Sequence, residues 1–408
     1  MVADARPQTL KRSAFLLFFA LTLTGCKRSS FPDVPSGYRE FAYITNGEGS
    51  SVTVLDLVYM RKDRTLTVGR DPSGVTASPK RNEVYVVNTG DGTITVIDAE
   101  TNSVVSTIGV HARPYAISVD TQGRYGYVAN SGANSVSVID LAQRQEVAVA
   151  GTGEGPGLAL VSPDSRSLAV TNRVSNSVSL YDLDQHLGEE KKSSRTAAPH
   201  LRATFGGCTG ATDAVILPDS SKLFVACAGG HQVMAIGLAA DATSWAAKQD
   251  SATLKDRLLA RLDTGQTPIH LAMKPDGGEI FVSNFDSGSI TEISTWTNEV
   301  GGTYMIGPKP VHAVIGKDNS TLWVSNFGAD SVSIYSIDDG KRVGNIRTGP
   351  APDALAFSTD EHLLLVANTG TGDTAVLRTQ GRDGPGLFNM LPAGNRPNAI
   401  AIKSFRLK

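Results

Sequence analysis

The sequence predicts an all-β fold in which eight units of four strands close into a ring, and three observations support this prediction. A four-residue stretch that ends in Asn recurs along the 408 residues, with contiguous copies 42 residues apart. Each copy is followed by stretches in which polar and apolar residues alternate, as in residues 93–98, and this period of two is typical of β-strands rather than helices. Turns that contain Gly and Pro divide each copy into about four short strands. Four strands in a repeat of this length are the pattern of a β-propeller blade.

The repeated stretch has the form Tyr-Val-Val-Asn and ends at seven asparagines, which are Asn46, Asn88, Asn130, Asn172, Asn284, Asn326 and Asn368. An eighth copy ends in Cys227, 55 residues after one neighbour and 57 residues before the next. Accepting this copy gives eight blades and two insertions, of 13 and 15 residues; leaving it out gives the alternative of seven blades. Because the asparagines are dispersed around the ring, we expect them to anchor turns rather than to share a ligand.

These strands resemble the YVTN-repeat β-propeller family, and the resemblance covers about residues 41–402. In that arrangement each blade has an inner strand A, which follows a Gly-x-x-Pro turn, a strand B that ends in the Asn, and outer strands C and D. The chain begins with a strand B and ends with an unpaired strand A at residues 397–402. We therefore expect the last strand to complete the first blade and close the ring, which leaves no free sheet edge.

The N-terminal segment predicts export. Lys11 and Arg12 precede an apolar run at residues 14–23, which is about half of the roughly 20 residues that a membrane-spanning helix needs. The run ends in Leu-Thr-Gly-Cys at residues 23–26 and resembles the bacterial lipoprotein signal. This resemblance implies cleavage before Cys26 and a lipid on its thiol. An ordinary cleaved signal with an incidental cysteine is the alternative.

The expected organisation has four parts: a lipoprotein signal peptide at residues 1–25, a lipid-carrying tether at 26–40, a single propeller domain at 41–402 and a tail at 403–408. The membrane is then a partner through the anchor. Cys26 is followed by Lys27 and not by the Asp that the lipoprotein resemblance associates with the inner membrane. We therefore expect a location in the bacterial envelope, at the outer membrane, with the propeller on its periplasmic or surface side.

The charge balance makes nucleic acid an unexpected partner. The chain has 38 basic and 40 acidic side chains, a net charge of −2, and no basic cluster, whereas phosphate backbones are bound by concentrated positive charge. The sequence contains no Ser/His/Asp nucleophile motif, phosphate loop or dinucleotide fingerprint. We therefore expect a monomeric, non-enzymatic platform that binds a protein or a small ligand.

Departures from the repeat indicate a candidate site. When the A strands are aligned, one position holds Asp213, His270 and His312 in three consecutive blades, and small or apolar residues in the other five. Inner strands line the central channel, so we expect these side chains to approach one another at its mouth. Two imidazoles and a carboxylate suit a divalent metal such as zinc or ferrous iron, or an acid/base group. The alternative, which we favour, is that each side chain bonds a neighbouring blade.

Loops at the same mouth carry candidate contacts for an anionic ligand. The turns before A strands supply Arg70, Arg113, Lys309 and Arg396, and the loops after B strands supply Arg173, His231, Phe285 and Phe327. A cationic and aromatic rim of this kind suits an anionic small molecule or peptide. Solvated loop charges are the commoner explanation of such residues.

Blade five departs from the repeat in its cysteines. Cys208 precedes strand A and Cys227 ends strand B, so antiparallel pairing brings them together, and in an exported protein we expect a disulfide. Free thiols, or metal ligands near Asp213, are the alternatives.

The two insertions fall between strands C and D of blades four and five, at about residues 185–200 and 239–259. The first is expected to be a polar loop and the second a short amphipathic helix. Because they are adjacent and on the side away from the mouth, they indicate a patch that docks a partner. The alternative is that they have no function, since surface insertions are well tolerated.

A second resemblance supplies the enzyme alternative. Pro268-Ile269-His270 and residues 325–333 are similar to lactonase-type propellers related to bacterial phosphogluconolactonase. This resemblance implies a lactonase-like hydrolase. A propeller that binds a metal or a redox cofactor through the His pair is a third possibility.

Overall fold

The computed structural model describes residues 34–183, 198–240, 254–381 and 384–407. In these residues 32 strands form eight antiparallel sheets of four strands each, and the sheets are the blades of one β-propeller. The predicted fold class and the blade count are confirmed. The alternative of seven blades is wrong, because the copy that ends in Cys227 forms a complete blade of its own.

Strands B, C and D of blade one come first in the chain, followed by strands A to D of each later blade. In the first half the strands are β1 (Tyr38–Asn46), β2 (Ser51–Asp56), β3 (Arg61–Thr67), β4 (Pro72–Ala77), β5 (Glu83–Asn88), β6 (Thr93–Asp98), β7 (Ser103–Gly109), β8 (Pro114–Val119), β9 (Tyr125–Asn130), β10 (Ser135–Asp140), β11 (Gln145–Gly151), β12 (Pro156–Val161), β13 (Ser167–Asn172), β14 (Ser177–Asp182) and β15 (His200–Gly206). In the second half they are β16 (Ala211–Ile216), β17 (Lys222–Cys227), β18 (Gln232–Gly237), β19 (Arg257–Asp263), β20 (Pro268–Met273), β21 (Glu279–Asn284), β22 (Ser289–Ser294), β23 (Glu299–Met305), β24 (Pro310–Ile315), β25 (Thr321–Asn326), β26 (Ser331–Ser336), β27 (Lys341–Arg347), β28 (Pro352–Phe357), β29 (Leu363–Asn368), β30 (Asp373–Arg378), β31 (Gly386–Pro392) and β32 (Pro397–Arg406). A 3-10 turn at Ala228–Gly230 follows β17.

The ring is closed by the two ends of the chain. The last strand, β32, is the inner strand of blade one and pairs antiparallel with β1, from Asn46 opposite Pro397 to Tyr38 opposite Arg406. Blade one therefore contains both the first and the last strand. The inner edge of β1, which would be unpaired without β32, is therefore covered.

This pairing is longer than the sequence predicts. Strand β1 begins at Tyr38, inside the predicted tether, and β32 ends at Arg406, inside the predicted tail. The extension is stabilised by contacts between the two strands, since the rings of Phe41 and Phe405 lie 6.3 Å apart. The boundaries at residues 41 and 402 are corrected accordingly.

The hydrophobic core lies between neighbouring blades. Tyr85 and Ile94 of blade two, for example, pack with Val128 and Ile139 of blade three, and all four are buried. Strands B and C are covered by a blade on each face, so most of their residues on both faces are apolar or uncharged, whereas outer strands such as β3 are largely exposed.

The signature asparagines hold each blade together locally. The side-chain amide of Asn88 donates to the hydroxyls of Thr93 and Thr95 on strand C, at 3.0 and 2.9 Å. The same pair of bonds is formed by Asn46, Asn130, Asn172 and Asn284. A Cβ atom added to Gly69, in the preceding turn, would lie 2.7 Å from the Asn88 side chain. The repeated Gly and Asn thus form a packing unit, as the structural interpretation of the asparagines predicts.

Blade five replaces this unit with a covalent bond. Cys208 stands three residues before strand A, where six of the other seven turns have Gly, and Cys227 stands where the other B strands have their Asn. Their Sγ atoms form a disulfide, with the two Cα atoms 4.8 Å apart and both residues buried. The predicted disulfide is confirmed.

Some predicted features lie wholly or partly outside the residues that the structure describes. The signal peptide, Cys26 and residues 184–197 and 241–253 of the two insertions lie outside the described residues. Strand β15 begins at His200 and β19 begins at Arg257. The C-terminal end of each predicted insertion therefore belongs to a β-strand. Leu258 and Leu259, assigned to a helix by the sequence analysis, belong to β19. Among the described residues no helix is long and apolar enough to cross a membrane.

Candidate functional site

A cavity of about 500 Å³ opens at the mouth of the central channel. All eight blades contribute to it, mainly through the second and third residues of their inner strands. Its polar wall is formed by Asp213, His270, His312, Asp353 and Arg173. The three residues that the sequence analysis placed at this mouth are therefore brought together there.

A β-bulge explains why successive residues of an inner strand reach the cavity. In blade seven Pro310 pairs with Asn326 and Ala313 pairs with Val324, which leaves Val311 and His312 opposite Ser325 alone. Comparable register shifts occur at the start of the inner strand in the other blades. Two residues opposite one disturb the strict alternation of a strand and re-aim its side chains.

Asp213 and His270 form an ion pair between blades five and six. Nδ1 of His270 lies 2.8 Å from Oδ2 of Asp213, and Nε2 lies 3.0 Å from the carbonyl oxygen of Ala313. Both ring nitrogens therefore face acceptors, and both bonds form only when the ring carries two protons. The backbone amides of Leu271 and Ala214 also donate to the carboxylate, at 2.8 and 2.9 Å.

These contacts shift the titration of both groups. Burial by itself lowers the pKa of His270, but the charge of Asp213 and the hydrogen bonds to Asp213 and Ala313 outweigh it and raise the pKa above its ordinary value. Burial likewise raises the pKa of Asp213, and the charge and hydrogen bonds of His270 and the backbone amides overcome it and lower the pKa. The directions agree with an imidazolium paired to a carboxylate.

His312 and Asp353 form a second pair, one blade further along the ring. Nδ1 of His312 lies 2.9 Å from Oδ1 of Asp353, and the ring centroid is 4.8 Å from that of His270. In the neutral ring Nδ1 donates to the carboxylate, so Nε2 carries the lone pair. Within the described part of the chain, Nε2 of His312 has no hydrogen-bond partner. This nitrogen is therefore open to a molecule in the cavity.

Asp353 was not identified by the sequence analysis. It stands one residue before the aligned position, where strict alternation turns a side chain away from the channel, and the bulge in β28 brings it in. A signal was present, since Asp353 is the one charged residue among the second residues of the eight inner strands.

The predicted metal site does not match this geometry. Among the described residues no group of three or more His, Cys, Asp or Glu side chains is arranged to hold a metal ion. The reason is that Asp213 and His270 are directed at each other and at backbone groups, so that His312 alone keeps a free ring nitrogen. The favoured alternative, bonding to neighbouring blades, describes Asp213, His270 and His312 as they are found.

Arg173 supplies positive charge to the cavity. It follows the signature Asn172 of blade four, and its guanidinium carbon lies 5.5 Å from the ring centroid of Tyr115 in blade three. This distance is within the range of a cation–π contact.

Of the eight predicted rim residues, Arg173 lines the cavity and the other seven do not. The ammonium group of Lys309 lies 5.5 Å from the ring centroid of Phe285, and Arg396 is paired with Glu48 at 2.6 Å. Lys309 borders a separate cavity of about 750 Å³ beside blades six and seven. Arg113 accepts a hydrogen bond from Ser131 through its backbone carbonyl, and Phe327 is partly exposed.

No protein family and no curated protein matches the chain, but solved structures do. The dihydro-heme d1 dehydrogenase NirN in complex with DHE matches with a TM-score of 0.70 and 15% identity, over 94% of this chain and 78% of that one. Hydrazine synthase of Kuenenia stuttgartiensis matches at 0.53 and 19%, over 72% and 91% of the two chains. A Bacteroides fragilis protein, provisionally assigned as a 6-phosphogluconolactonase, matches at 0.58 and 16%, over 91% and 100%. At identities this low, the structural likeness shows the fold alone.

Proposed function

We propose that this chain is a ligand-binding propeller that holds a small molecule at the mouth of its channel. The observation that carries the proposal is the open Nε2 of His312, held in place by Asp353 beside a second, charged Asp–His pair. The cavity, at about 500 Å³, lies in the size range of small-molecule sites. The names of two structural neighbours support it, since one is a complex with DHE and the other is assigned to a lactone substrate.

Titration calorimetry with gluconate, glucose 6-phosphate and glucose tests this proposal. We expect the wild-type protein to bind at least one of these probes, and Ala116→Trp, which fills the cavity from blade three, to abolish that binding. A wild-type protein that binds none of them, or an Ala116→Trp variant that binds them equally well, contradicts the proposal for this class of ligand.

Lactone hydrolysis is a second candidate, and the His312–Asp353 pair favours it. In this scheme Nε2 of His312 takes a proton from water as the water oxygen attacks the lactone carbonyl. The ring C–O bond then breaks, and the departing alcohol oxygen receives that proton. An Asp that orients the imidazole is the arrangement of a general base.

A pH-stat assay with D-glucono-1,5-lactone tests the hydrolase. We expect His312→Gln to lower the enzyme-dependent rate by about a hundredfold or more. His362→Gln is the matched control, because His362 also pairs with an Asp, Asp360 at 3.2 Å, outside the cavity. Hydrolysis that persists in His312→Gln removes this residue from the reaction.

We also propose that the chain is a member of the YVTN-repeat family, exported and anchored through a lipid on Cys26. The lipoprotein-like sequence at residues 23–26 supports the anchor, and the buried Cys208–Cys227 disulfide supports an oxidising compartment. Cys26→Ala is expected to move the protein from the membrane fraction to the soluble envelope fraction. Retention of the variant in the membrane fraction contradicts the anchor.

A further inference from the structure

One blade differs from the others at the residue that follows strand B. In the eight blades this position holds Gly47, Thr89, Ser131, Arg173, Ala228, Phe285, Phe327 and Thr369. Arg173 is the one charged residue of the set, and it lines the channel-mouth cavity. The positive charge at this position is therefore specific to blade four and is not a feature of the repeated sequence.

A glycine makes room for this arginine. A Cβ atom added to Gly157, the second residue of strand β12, would lie 2.9 Å from Cδ and 3.2 Å from Cγ of Arg173. Gly157 is not among the residues with a positive φ. Glycine is therefore needed here because it lacks a side chain, and not because of its backbone conformation. The other seven inner strands carry a side chain at the equivalent residue. The stem of Arg173 consequently lies across the start of its own inner strand.

The guanidinium is held but not neutralised. Its contact is the ring of Tyr115, and no carboxylate pairs with it among the described residues. Two other arginines of the same face, Arg70 and Arg396, are paired with Asp91 and Glu48. An arginine that keeps its hydrogen-bond donors free inside a concave site suits an oxyanion, which the planar fork binds through two parallel bonds.

We propose that Arg173 is the anion anchor of the cavity and that the ligand carries a carboxylate or a phosphate. This inference rests on the proposed function, since it names the class of molecule that the channel-mouth site takes. His312 lies three blades further around the ring and offers a proton acceptor at Nε2. A ligand that satisfies both residues is a small molecule with an oxyanion at one end and a hydroxyl group at the other, such as a hydroxy acid or a sugar phosphate.

The same three probes, titrated at low ionic strength, test the inference. Gluconate presents a carboxylate, glucose 6-phosphate a phosphate, and glucose no charge. We expect the wild-type protein to bind one or both anions at least tenfold more tightly than glucose, with an affinity that falls as salt is added. Arg173→Gln is expected to remove this preference, and Arg173→Lys to restore only part of it, because an ammonium group lacks the fork. Gly157→Ala is expected to weaken anion binding through displacement of the arginine.

Arg124→Gln is the matched control. Arg124 also lies over a tyrosine ring, 4.9 Å from the centroid of Tyr125, but outside the cavity. The Arg124→Gln variant is expected to bind the three probes with the affinities of the wild-type protein. A far-ultraviolet circular dichroism spectrum and a melting curve test whether each variant is folded. If Arg173→Gln binds the anions as tightly as the wild type, or if glucose is bound as tightly as the anions, the anion anchor is wrong while the binding function stands. If the wild type binds no probe, both are contradicted.

Discussion

His270 and His312 occupy the same position in neighbouring inner strands, yet their surroundings give them different chemistry. Both nitrogens of His270 are engaged, by Asp213 and by the carbonyl of Ala313, and this arrangement favours the protonated ring. His312 has one engaged nitrogen and one open nitrogen. The first imidazole therefore stabilises the mouth, and the second is the group available for a ligand.

The charged pair predicts a pH dependence of stability. His270 has a raised pKa, so its contribution is fully present below its unfolded pKa of about 6.5 and is lost as pH rises through the folded value. Asp213 has a lowered pKa, so its contribution is present above about pH 3.9 and is lost as pH falls through the folded value. The pair is strongest between about pH 4 and pH 6.5.

We therefore expect His270→Gln to lower the free energy of unfolding by about 2 kcal/mol near pH 5, and by clearly less near pH 9. Urea denaturation at the two pH values measures the difference. His362→Gln serves as the control, because the His362 side chain is about one-third exposed and its removal is expected to change stability little at either pH. An equal loss at pH 5 and pH 9 for His270→Gln contradicts the ion pair.

At the scale of the blade, the contact between turn and strand B sets the geometry of the mouth. Six turns supply a Gly whose missing side chain leaves space for the Asn of strand B, and they are Gly69, Gly153, Gly265, Gly307, Gly349 and Gly394. In these six blades the Gly lies three residues before the first residue of the inner strand. The cavity is thus positioned by residues that do not line it.

Gly69→Ala tests this contact. The added Cβ would meet Cβ and Cγ of Asn88 at 2.7 Å, and relief of this overlap is expected to reduce the free energy of unfolding by about 1–3 kcal/mol. Gly109→Ala is the matched control, since a Cβ there meets no atom within 4 Å. Chemical denaturation of both variants measures the effect, and equal stabilities would show that the overlap is relieved without cost.

The disulfide of blade five predicts a second effect at this scale. Cys208→Ala/Cys227→Ala is expected to lose about 3 kcal/mol of unfolding free energy. Cys208→Gly/Cys227→Asn, which restores the repeat residues, is not expected to recover this loss. The reason is that strand C of this blade offers Gln232 and Met234, where six other blades offer hydroxyls and blade eight offers the carboxylate of Asp373. A new Asn would therefore be buried without the partners that it has in the other blades. Recovery of wild-type stability in the Gly/Asn variant would contradict this explanation.

At the scale of the whole molecule, ring closure determines whether the propeller holds together. Strand β32 pairs with β1 along its full length and lies beside the inner strands of blades two and eight. Deletion of residues 397–408 is expected to abolish the cooperative unfolding transition, because it exposes the inner edge of blade one and both adjoining interfaces. Deletion of residues 407–408 is the control. A monomeric, normally melting chain without β32 would contradict the closure, and calorimetry with size-exclusion chromatography provides the readout.

Most of this architecture was predictable because the information is repeated. A period of 42 residues and the unpaired strand at the C-terminus predicted the closed ring, and the count of eight blades depended on accepting the divergent copy that ends in Cys227. The site was predictable in part, since Asp213, His270 and His312 depart from the repeat at one aligned position. Asp353 escaped the alignment because a bulge, which depends on pairing rather than pattern, turned it into the channel. The direction of Arg173 depends on the space above Gly157, which a sequence pattern does not reveal.

The closing strand also determines which way the molecule faces. In the β1–β32 pair, Asn46 and Pro397 lie at the mouth, whereas Tyr38 and Arg406 lie at the opposite end. Both ends of the described chain therefore leave the ring on the side away from the cavity. Either end can be fixed to a surface without covering the mouth, so an immobilised propeller presents its cavity to the surrounding solution.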